Sequence, residues 1–180
     1  MAQAVAERTA VGDTLVEFLR DKGRRFGPKT ALLFKPAFRY QRWSYAELVE
    51  GADRVAALLQ QRGLVKGDRA LLWAHNSPHW VLAFFGCLRA GVIVVPLDLR
   101  TTPDFVQNVA SRTQPKLTFI SRVTPSHEDL SVPEIRIEEL EELTEGLSSP
   151  EAVDVTSEDL AEIMFTSGTT GNPRGVMLTH

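Results

Sequence analysis

The stretch IMFTSGTTGNPRGVMLTH, residues 163–180, places a polar loop between two short apolar runs. The loop contains four hydroxyl side chains, three glycines, a proline and one cation, Arg174. Glycines allow sharp turns that expose backbone N–H groups, and clustered N–H groups and hydroxyls bind phosphate oxygens. A guanidinium can hold a phosphate through two hydrogen bonds. An ordinary hairpin turn has about two to five residues, and this loop is longer and rich in hydroxyl groups. Both features favour a phosphate-binding loop over a plain hairpin.

The spacing of the loop excludes the two common nucleotide-binding patterns. The Walker pattern requires Gly-Lys four residues after its first glycine, and counting from Gly168 those positions hold Pro173 and Arg174. The Gly-x-Gly-x-x-Gly pattern is also absent. A proline is unfavourable inside a helix, and residues 176–178 have the composition of a strand. The sequence therefore predicts a strand, a loop and a second strand.

Residues 166–175, TSGTTGNPRG, resemble the signature loop of the adenylate-forming enzymes, which include acyl-CoA synthetases, peptide-synthetase adenylation domains and luciferases. The resemblance implies that the loop embraces the β- and γ-phosphates of ATP, with Arg174 neutralising their charge and Thr166 helping to hold Mg²⁺. The implied phosphate-binding residues are Thr166, Ser167, Gly168, Thr169, Thr170, Gly171 and Arg174. The family usually has lysine at position 174, and arginine and lysine bind phosphate differently.

Composition limits the other functions that the chain can have. Its 180 residues suffice for one buried core, and its net charge of −3 gives no reason to expect nucleic acid as a partner. The single Cys87 rules out an internal disulfide and suits a reducing, cytoplasmic compartment. Residues 1–12 are predicted to be an N-terminal tail, since they lack the apolar core of a signal peptide. The apolar run 80–97 is interrupted by Arg89, Gly91 and Pro96, so we predict a buried helix and a strand instead of a transmembrane segment.

Alternating strand and helix signals continue along the chain. Asp13 is predicted to cap a helix with the apolar face Leu15, Phe18 and Leu19, ending near Gly23. Predicted strands are 31–34 and 38–43, which form a hairpin, then 69–74, 92–95, 117–120 and a short edge strand at 134–137. A second helix is predicted to begin at Ser44, which forms a capping box with Glu47, and to end at Gly63. Two more are predicted to begin at Ser77-Pro78 and at Thr102-Pro103. A helical turn is predicted at 138–143. This order predicts an α/β fold over residues 13–180, a doubly wound, mostly parallel sheet flanked by helices.

Four other segments, 43–48, 63–69, 76–78 and 90–98, are similar to landmarks of the same family and occur in the family's order. The resemblance therefore covers about residues 13–180. It implies the first part of the large N-terminal domain of the acyl-CoA synthetase and luciferase-like fold, ending just after the phosphate-binding loop.

The resemblance also implies a reaction. A carboxylate attacks the α-phosphate of ATP to give an acyl-adenylate and pyrophosphate, and a thiol, usually coenzyme A, then takes the acyl group. The chain is accordingly predicted to be an N-terminal piece of an acyl-CoA synthetase that activates a carboxylic acid, most similar to fatty-acid ligases, and to be inactive alone. No catalytic residue is assigned within it, because the family's adenine contacts, acidic Mg²⁺ ligand, acyl pocket and catalytic lysine follow in the sequence. The oligomeric state and the acid are not predicted.

Two alternatives remain open. One is a non-catalytic nucleotide- or partner-binding module that uses the same fold, and the other is a degenerate enzyme in which Arg174 is the lesion. The four histidines, His75, His79, His127 and His180, do not change this choice. His75 and His79 are four residues apart, but the intervening Pro78 prevents a helical metal-binding pair, so a structural role is favoured for both. His127 is predicted to be solvated, and the role of His180 is left open.

Overall fold

The apolar runs of the sequence form strands and the amphipathic segments between them form helices. The computed structural model describes residues 12–125, 130–147, 149–166 and 174–180. In chain order the elements are α1 Leu15–Phe26, β1 Thr30–Phe34, β2 Gln41–Ser44, α2 Tyr45–Gln61, β3 Arg69–Trp73, α3 Pro78–Arg89, β4 Ile93–Pro96, α4 Pro103–Thr113, β5 Leu117–Ile120, β6 Glu134–Arg136, a 3₁₀ turn Ile137–Glu139, α5 Leu140–Leu143, β7 Leu160–Thr166 and β8 Arg174–Thr179.

Six strands form one sheet in the order β6-β5-β3-β4-β7-β8. All neighbouring pairs are parallel except the last, since β8 runs antiparallel to β7. The hairpin β1–β2 forms a separate two-stranded sheet. The mostly parallel, helix-flanked sheet that the sequence predicted is confirmed.

The sheet carries a hydrophobic layer on each face. On one face α1, α2 and α3 pack against side chains such as Leu72, Val94 and Phe119. On the other face Val106 and Val109 of α4 pack against alternate residues of the same strands, among them Leu71 and Val95. Strands covered on both faces are almost wholly buried, which explains their continuous apolar composition.

The chain reversals between elements largely follow the predicted local signals. Ser44 and Glu47 form the complete capping box at the start of α2. Gly63 has φ +80 immediately after that helix, a conformation that favours glycine. Ser77 and Thr102 cap α3 and α4, and a proline occupies the first turn of each. The run 80–97 divides into α3 and β4, and no helix among the described residues is both long and apolar enough to cross a membrane.

The first helix departs from prediction at both ends. Its N-cap is Thr14 and not Asp13, because the Thr14 hydroxyl accepts a hydrogen bond from the Glu17 amide at 3.1 Å. The helix also continues past Gly23 to Phe26. Gly23 lies where α1 meets α2, and a Cβ there would come within 2.6 Å of Val49 Cγ2, so this glycine permits close packing and does not end the helix. Phe18, predicted on the apolar face, is 39% exposed.

Candidate functional site

The predicted phosphate-binding stretch is flanked by the hairpin β7–β8. Thr166 is the last residue of β7, Arg174 is the first of β8, and the two are paired across the strands. Both residues are exposed. The predicted sequence of strand, loop and strand is therefore confirmed on either side of the loop. Five predicted phosphate-binding residues, Ser167, Gly168, Thr169, Thr170 and Gly171, lie outside the described residues.

This hairpin end lies at the edge where the parallel strands finish. We call the ends of β3, β4, β5 and β7, at Trp73, Pro96, Ile120 and Thr166, the carboxyl edge of the sheet. β7 is parallel to β4, with Val94 opposite Glu162. Thr166 at the end of β7 and the residues that follow Pro96 at the end of β4 therefore lie at the same edge. In open α/β sheets, ligands bind beyond the carboxyl ends of the strands. The Thr166–Arg174 pair occupies that position.

Two adjoining cavities open at the carboxyl edge. One, of about 400 Å³, is lined by residues after β3 and β4 together with Met164 and Phe165. The other, of about 510 Å³, lies between the end of β4 and the start of α4. Phe165 lines both, as do Pro96, Leu97 and Asp98. Phe165 immediately precedes Thr166 in β7, but neither Thr166 nor Arg174 is among the residues that line the two cavities.

The carboxylate of Asp98 in these cavities is engaged by a cation. Arg100 donates to it through Nε at 3.0 Å and through Nη2 at 2.8 Å, and the Arg100 amide donates at 2.8 Å. The side-chain and backbone hydrogen bonds from Arg100 lower the pKa of Asp98 to about 2. The indole Nε1 of Trp73 donates to the backbone oxygen of Asp98 at 3.1 Å and ties the end of β3 to the end of β4. These contacts order the edge beside the hairpin.

A second set of contacts joins the end of β3 to β5 and the 3₁₀ turn. The Thr124 hydroxyl donates to the Trp73 carbonyl at 2.8 Å. His75 Nδ1 lies 3.7 Å from Glu138 Oε1, which also accepts a hydrogen bond from the Arg122 amide at 3.0 Å. His75 therefore lines the smaller cavity while facing a carboxylate from the neighbouring segment.

The other histidines have distinct surroundings. His79 Nε2 lies 3.2 Å from Glu141 Oε1, and its ring meets the edge of Trp43 with centroids 5.5 Å apart. The His180 amide donates to the Asp159 carbonyl at 3.1 Å, and burial lowers the pKa of the His180 side chain. No group of three or more His, Cys, Asp or Glu side chains among the described residues could hold a metal ion. His127 lies outside the described residues.

Sequence reasoning did not single out Asp98, Arg100 or Phe165 as members of a site. Phe165 lies in the apolar run before the predicted loop, Asp98 ends the segment 90–98 that resembles a family landmark, and no role is predicted for Arg100. The available signal was positional, because Asp98 and Arg100 follow the buried strand β4, Phe165 lies near the end of β7, and the ends of parallel strands converge at one edge. A larger cavity, of about 890 Å³, lies elsewhere, between β2, α2, α3 and α5, and shares no lining residue with the carboxyl-edge cavities.

Comparison with known proteins shows the family to which the chain belongs. A family model described as AMP-binding enzyme matches residues 19–180. The chain belongs to this family. Its sequence is similar to the crotonobetaine/carnitine–CoA ligase of Salmonella paratyphi C (strain RKS4594), with 30% identity over 193 residues that cover 94% of this chain and 37% of the relative. The chain thus spans little more than a third of the length of the curated relatives it matches.

Solved structures of adenylate-forming enzymes have the same fold. The fatty acyl-adenylate ligase from L. pneumophila, in complex with acyl adenylate and pyrophosphate, superposes with a TM-score of 0.82 and 28% identity, covering 94% of this chain and 31% of that one. The N-terminal subdomain of Klebsiella oxytoca NpsA, in complex with 3-hydroxyanthranilyl-AMSN, gives a TM-score of 0.80, 93% and 40% coverage, and 22% identity, which supports the fold alone. The predicted fold class, the N-terminal domain of an adenylate-forming enzyme, is confirmed.

Proposed function

We propose that this chain is the N-terminal part of an AMP-forming acid–thiol ligase, in which the β7–β8 hairpin binds the terminal phosphates of ATP. The observation that carries the proposal is the pairing of Thr166 with Arg174 at the carboxyl edge of the sheet, in a chain of the AMP-binding enzyme family. The hairpin presents an exposed hydroxyl and an exposed guanidinium on either side of a hydroxyl- and glycine-rich loop.

The proposed chemistry needs positioning and charge neutralisation from these residues. A carboxylate oxygen of the acid forms a bond to the α-phosphorus of ATP, and the bond from that phosphorus to the bridging oxygen breaks, releasing pyrophosphate. Arg174 offsets the negative charge that accumulates on the departing phosphates, and hydroxyls and backbone N–H groups of the loop hold their oxygens. The activated acyl group then passes to coenzyme A with release of AMP.

Mg²⁺ fits this site as a partner of the nucleotide phosphates. Mg²⁺ takes hard oxygen ligands and is commonly held by substrate phosphates, waters and one or two protein groups. The exposed Thr166 hydroxyl at the end of β7 is such an oxygen, and we propose it as the contribution of this chain. Bound there, the ion would neutralise phosphate charge.

A fatty acid is the proposed substrate class. The sequence similarity to a CoA ligase for crotonobetaine and carnitine supports a carboxylic acid and coenzyme A as substrates. The structural similarity to a fatty acyl-adenylate ligase supports an acyl chain as the activated group. We also propose the cytoplasm as its compartment, from the single, buried Cys87.

Pyrophosphate exchange into ATP tests the first half-reaction. The intact protein should catalyse acid-dependent exchange with at least one member of a panel of fatty acids and quaternary-ammonium acids. Arg174→Ala should lower the exchange rate on the order of a hundredfold, as removal of one transition-state charge contact does. Arg174→Lys should retain most of the rate, and Arg62→Ala, at an exposed arginine after α2, is the matched control. Exchange that is absent with every acid, or equal in Arg174→Ala and the control, would contradict the proposal.

A further inference from the structure

The tip of the β1–β2 hairpin exposes large apolar side chains. Phe38 is 97% exposed, Tyr40 is 61% exposed, and Leu33 on β1 is 57% exposed. The register explains the arrangement, since Leu32 pairs with Trp43 and both pack against the core, whereas Leu33 pairs with Arg42 on the opposite side. Clustered exposed apolar residues on a soluble surface usually mark an interaction site.

The same segment holds an unbroken block of positive charge. Residues 22–46 contain seven lysines and arginines and no aspartate or glutamate, although the whole chain has a net charge of −3. Three of these cations are close in sequence to Phe38 and Tyr40: Lys35 and Arg39 lie in the loop between β1 and β2, and Arg42 lies on β2. The other four are Lys22, Arg24, Arg25 and Lys29, at the end of α1 and the base of the hairpin.

The cations at the tip are available to a partner. Lys35 Nζ lies 5.1 Å from the centroid of the Tyr40 ring. None of the ion pairs found among the described residues involves Lys35, Arg39 or Arg42. The cleft next to β2, which Arg42 helps to line, also has Glu141, Glu142 and Glu145 in its lining. Lys35 and Arg39, which lie with Phe38 and Tyr40 in the loop between β1 and β2, give the hairpin a basic, aromatic end.

We propose that the tip of the β1–β2 hairpin docks on a membrane surface that contains anionic lipids. Aromatic side chains with flanking lysines and arginines are the composition of interfacial anchors, in which rings enter the headgroup region and cations meet lipid phosphates. A narrow, convex hairpin with Phe38 at its end suits insertion between headgroups, whereas nucleic acid is usually held in a basic groove. The acidic residues near α5 would be repelled by such a surface, so the molecule would approach tip first.

The expected binding is weak, reversible and sensitive to salt. Each cation near an anionic leaflet contributes a factor of roughly fivefold to the affinity. Insertion of one phenyl ring contributes on the order of tenfold, because only part of the ring leaves water. The inference does not depend on the proposed reaction, since lipid binding is measured without turnover.

Vesicle flotation of the intact protein tests the inference. The probes are vesicles of phosphatidylcholine alone and vesicles that also contain phosphatidylglycerol. The variants are Phe38→Ser and the double charge reversal Lys35→Glu/Arg39→Glu. Their matched controls are Val65→Ser, at another exposed apolar residue beyond α2, and Arg62→Glu/Arg122→Glu, which changes the net charge by the same amount at exposed sites elsewhere.

We expect the wild type and both controls to float with phosphatidylglycerol vesicles and not with phosphatidylcholine alone. Phe38→Ser should reduce the bound fraction on the order of tenfold, and the double reversal should reduce it further. Raising NaCl from about 0.1 M to about 1 M, which shortens the Debye length from about 10 Å to about 3 Å, should release the protein. Equal loss in the controls, or no flotation of the wild type, would overturn the inference, as would binding to an oligonucleotide in place of vesicles.

A label at position 38 provides a second measurement that does not depend on the strength of flotation. Burial raises the pKa of the Cys87 thiol, so this cysteine should stay unreactive; Phe38→Cys can be labelled with an environment-sensitive dye, and the protein without the substitution, treated in the same way, gives the background labelling. Phosphatidylglycerol vesicles should shift the emission of the dye to the blue, and the same dye on Val65→Cys should not respond. A dye at position 38 that does not respond, on protein that floats, would place the contact elsewhere and overturn the inference.

Discussion

At the scale of single residues, Gly86 shows how closely α2 and α3 approach. A Cβ at this position would lie 2.6 Å from Val55 Cβ and 3.3 Å from the Ala52 carbonyl oxygen. Gly86→Ala should therefore destabilise the protein by about 1–2 kcal/mol, since overpacking outweighs the gain in helix propensity. Urea unfolding of the intact protein measures the change. Adding Val55→Ala should recover part of the loss, and a Gly86→Ala protein of wild-type or higher stability would contradict the packing.

Asp159 offers a residue-level prediction on pH. Lys66 Nζ lies 2.7 Å from its carboxylate, and with the amide and hydroxyl of Thr156 it lowers the pKa of Asp159 to about 2. Because the folded-state pKa lies below the usual value of 3.8, this contact stabilises the fold above pH 3.8. The stabilisation disappears as the pH falls toward 2.

Removing the cation should raise the pKa of Asp159 toward its usual value. NMR titration of the side-chain carboxyl carbon in Lys66→Met measures this change, and Arg62→Met, at an exposed residue without a contact to Asp159, is the control. The Thr156 hydrogen bonds remain in the variant, so the return should be partial. An unchanged pKa in Lys66→Met would show that Thr156 alone sets it.

At the scale of elements, the start of α1 distinguishes two candidate caps. The Thr14 hydroxyl satisfies the Glu17 amide, whereas Asp13 is exposed and precedes the cap. Thr14→Ala should cost about 1 kcal/mol of unfolding free energy, and Asp13→Ala should cost little. Urea unfolding of both variants provides the comparison. The reverse order of costs would support Asp13 as the cap.

Most elements could be predicted because their signals are local. The free N–H groups at the start of a helix are dealt with by neighbouring residues only. Ser44 and Ser77 accept hydrogen bonds from such groups, and Pro78 has no N–H group to satisfy. The exceptions depend on distant partners. In the sequence Gly23 indicates a helix end, but α1 continues past it. The glycine is there because a side chain at position 23 would prevent the close approach of α2. A glycine signal cannot distinguish a stop from a packing site without the neighbouring helix.

At the scale of the whole molecule, the candidate site depends on strand order. β4 and β7 are neighbours although α4, β5 and β6 lie between them in the chain. This adjacency brings Phe165 beside Asp98, and it has no local signature in either segment. The loop composition could predict the flanking strands, and phosphate binding by the loop stays a prediction. The cavities nearby could not be predicted, because they form only when distant segments pair.

The outer edge of the sheet gives the final prediction. β8 is exposed along its length and carries Val176, Met177 and Leu178, each at least 40% exposed. An unprotected apolar edge strand pairs readily with another chain. A polypeptide of residues 1–180 produced alone should therefore self-associate, as light scattering after size exclusion would show. Met177→Lys should reduce the association because a charged side chain on an edge opposes strand pairing, whereas Val65→Lys, at another exposed apolar residue, should not. A monomeric polypeptide, or equal effects of the two substitutions, would show that this edge does not drive association.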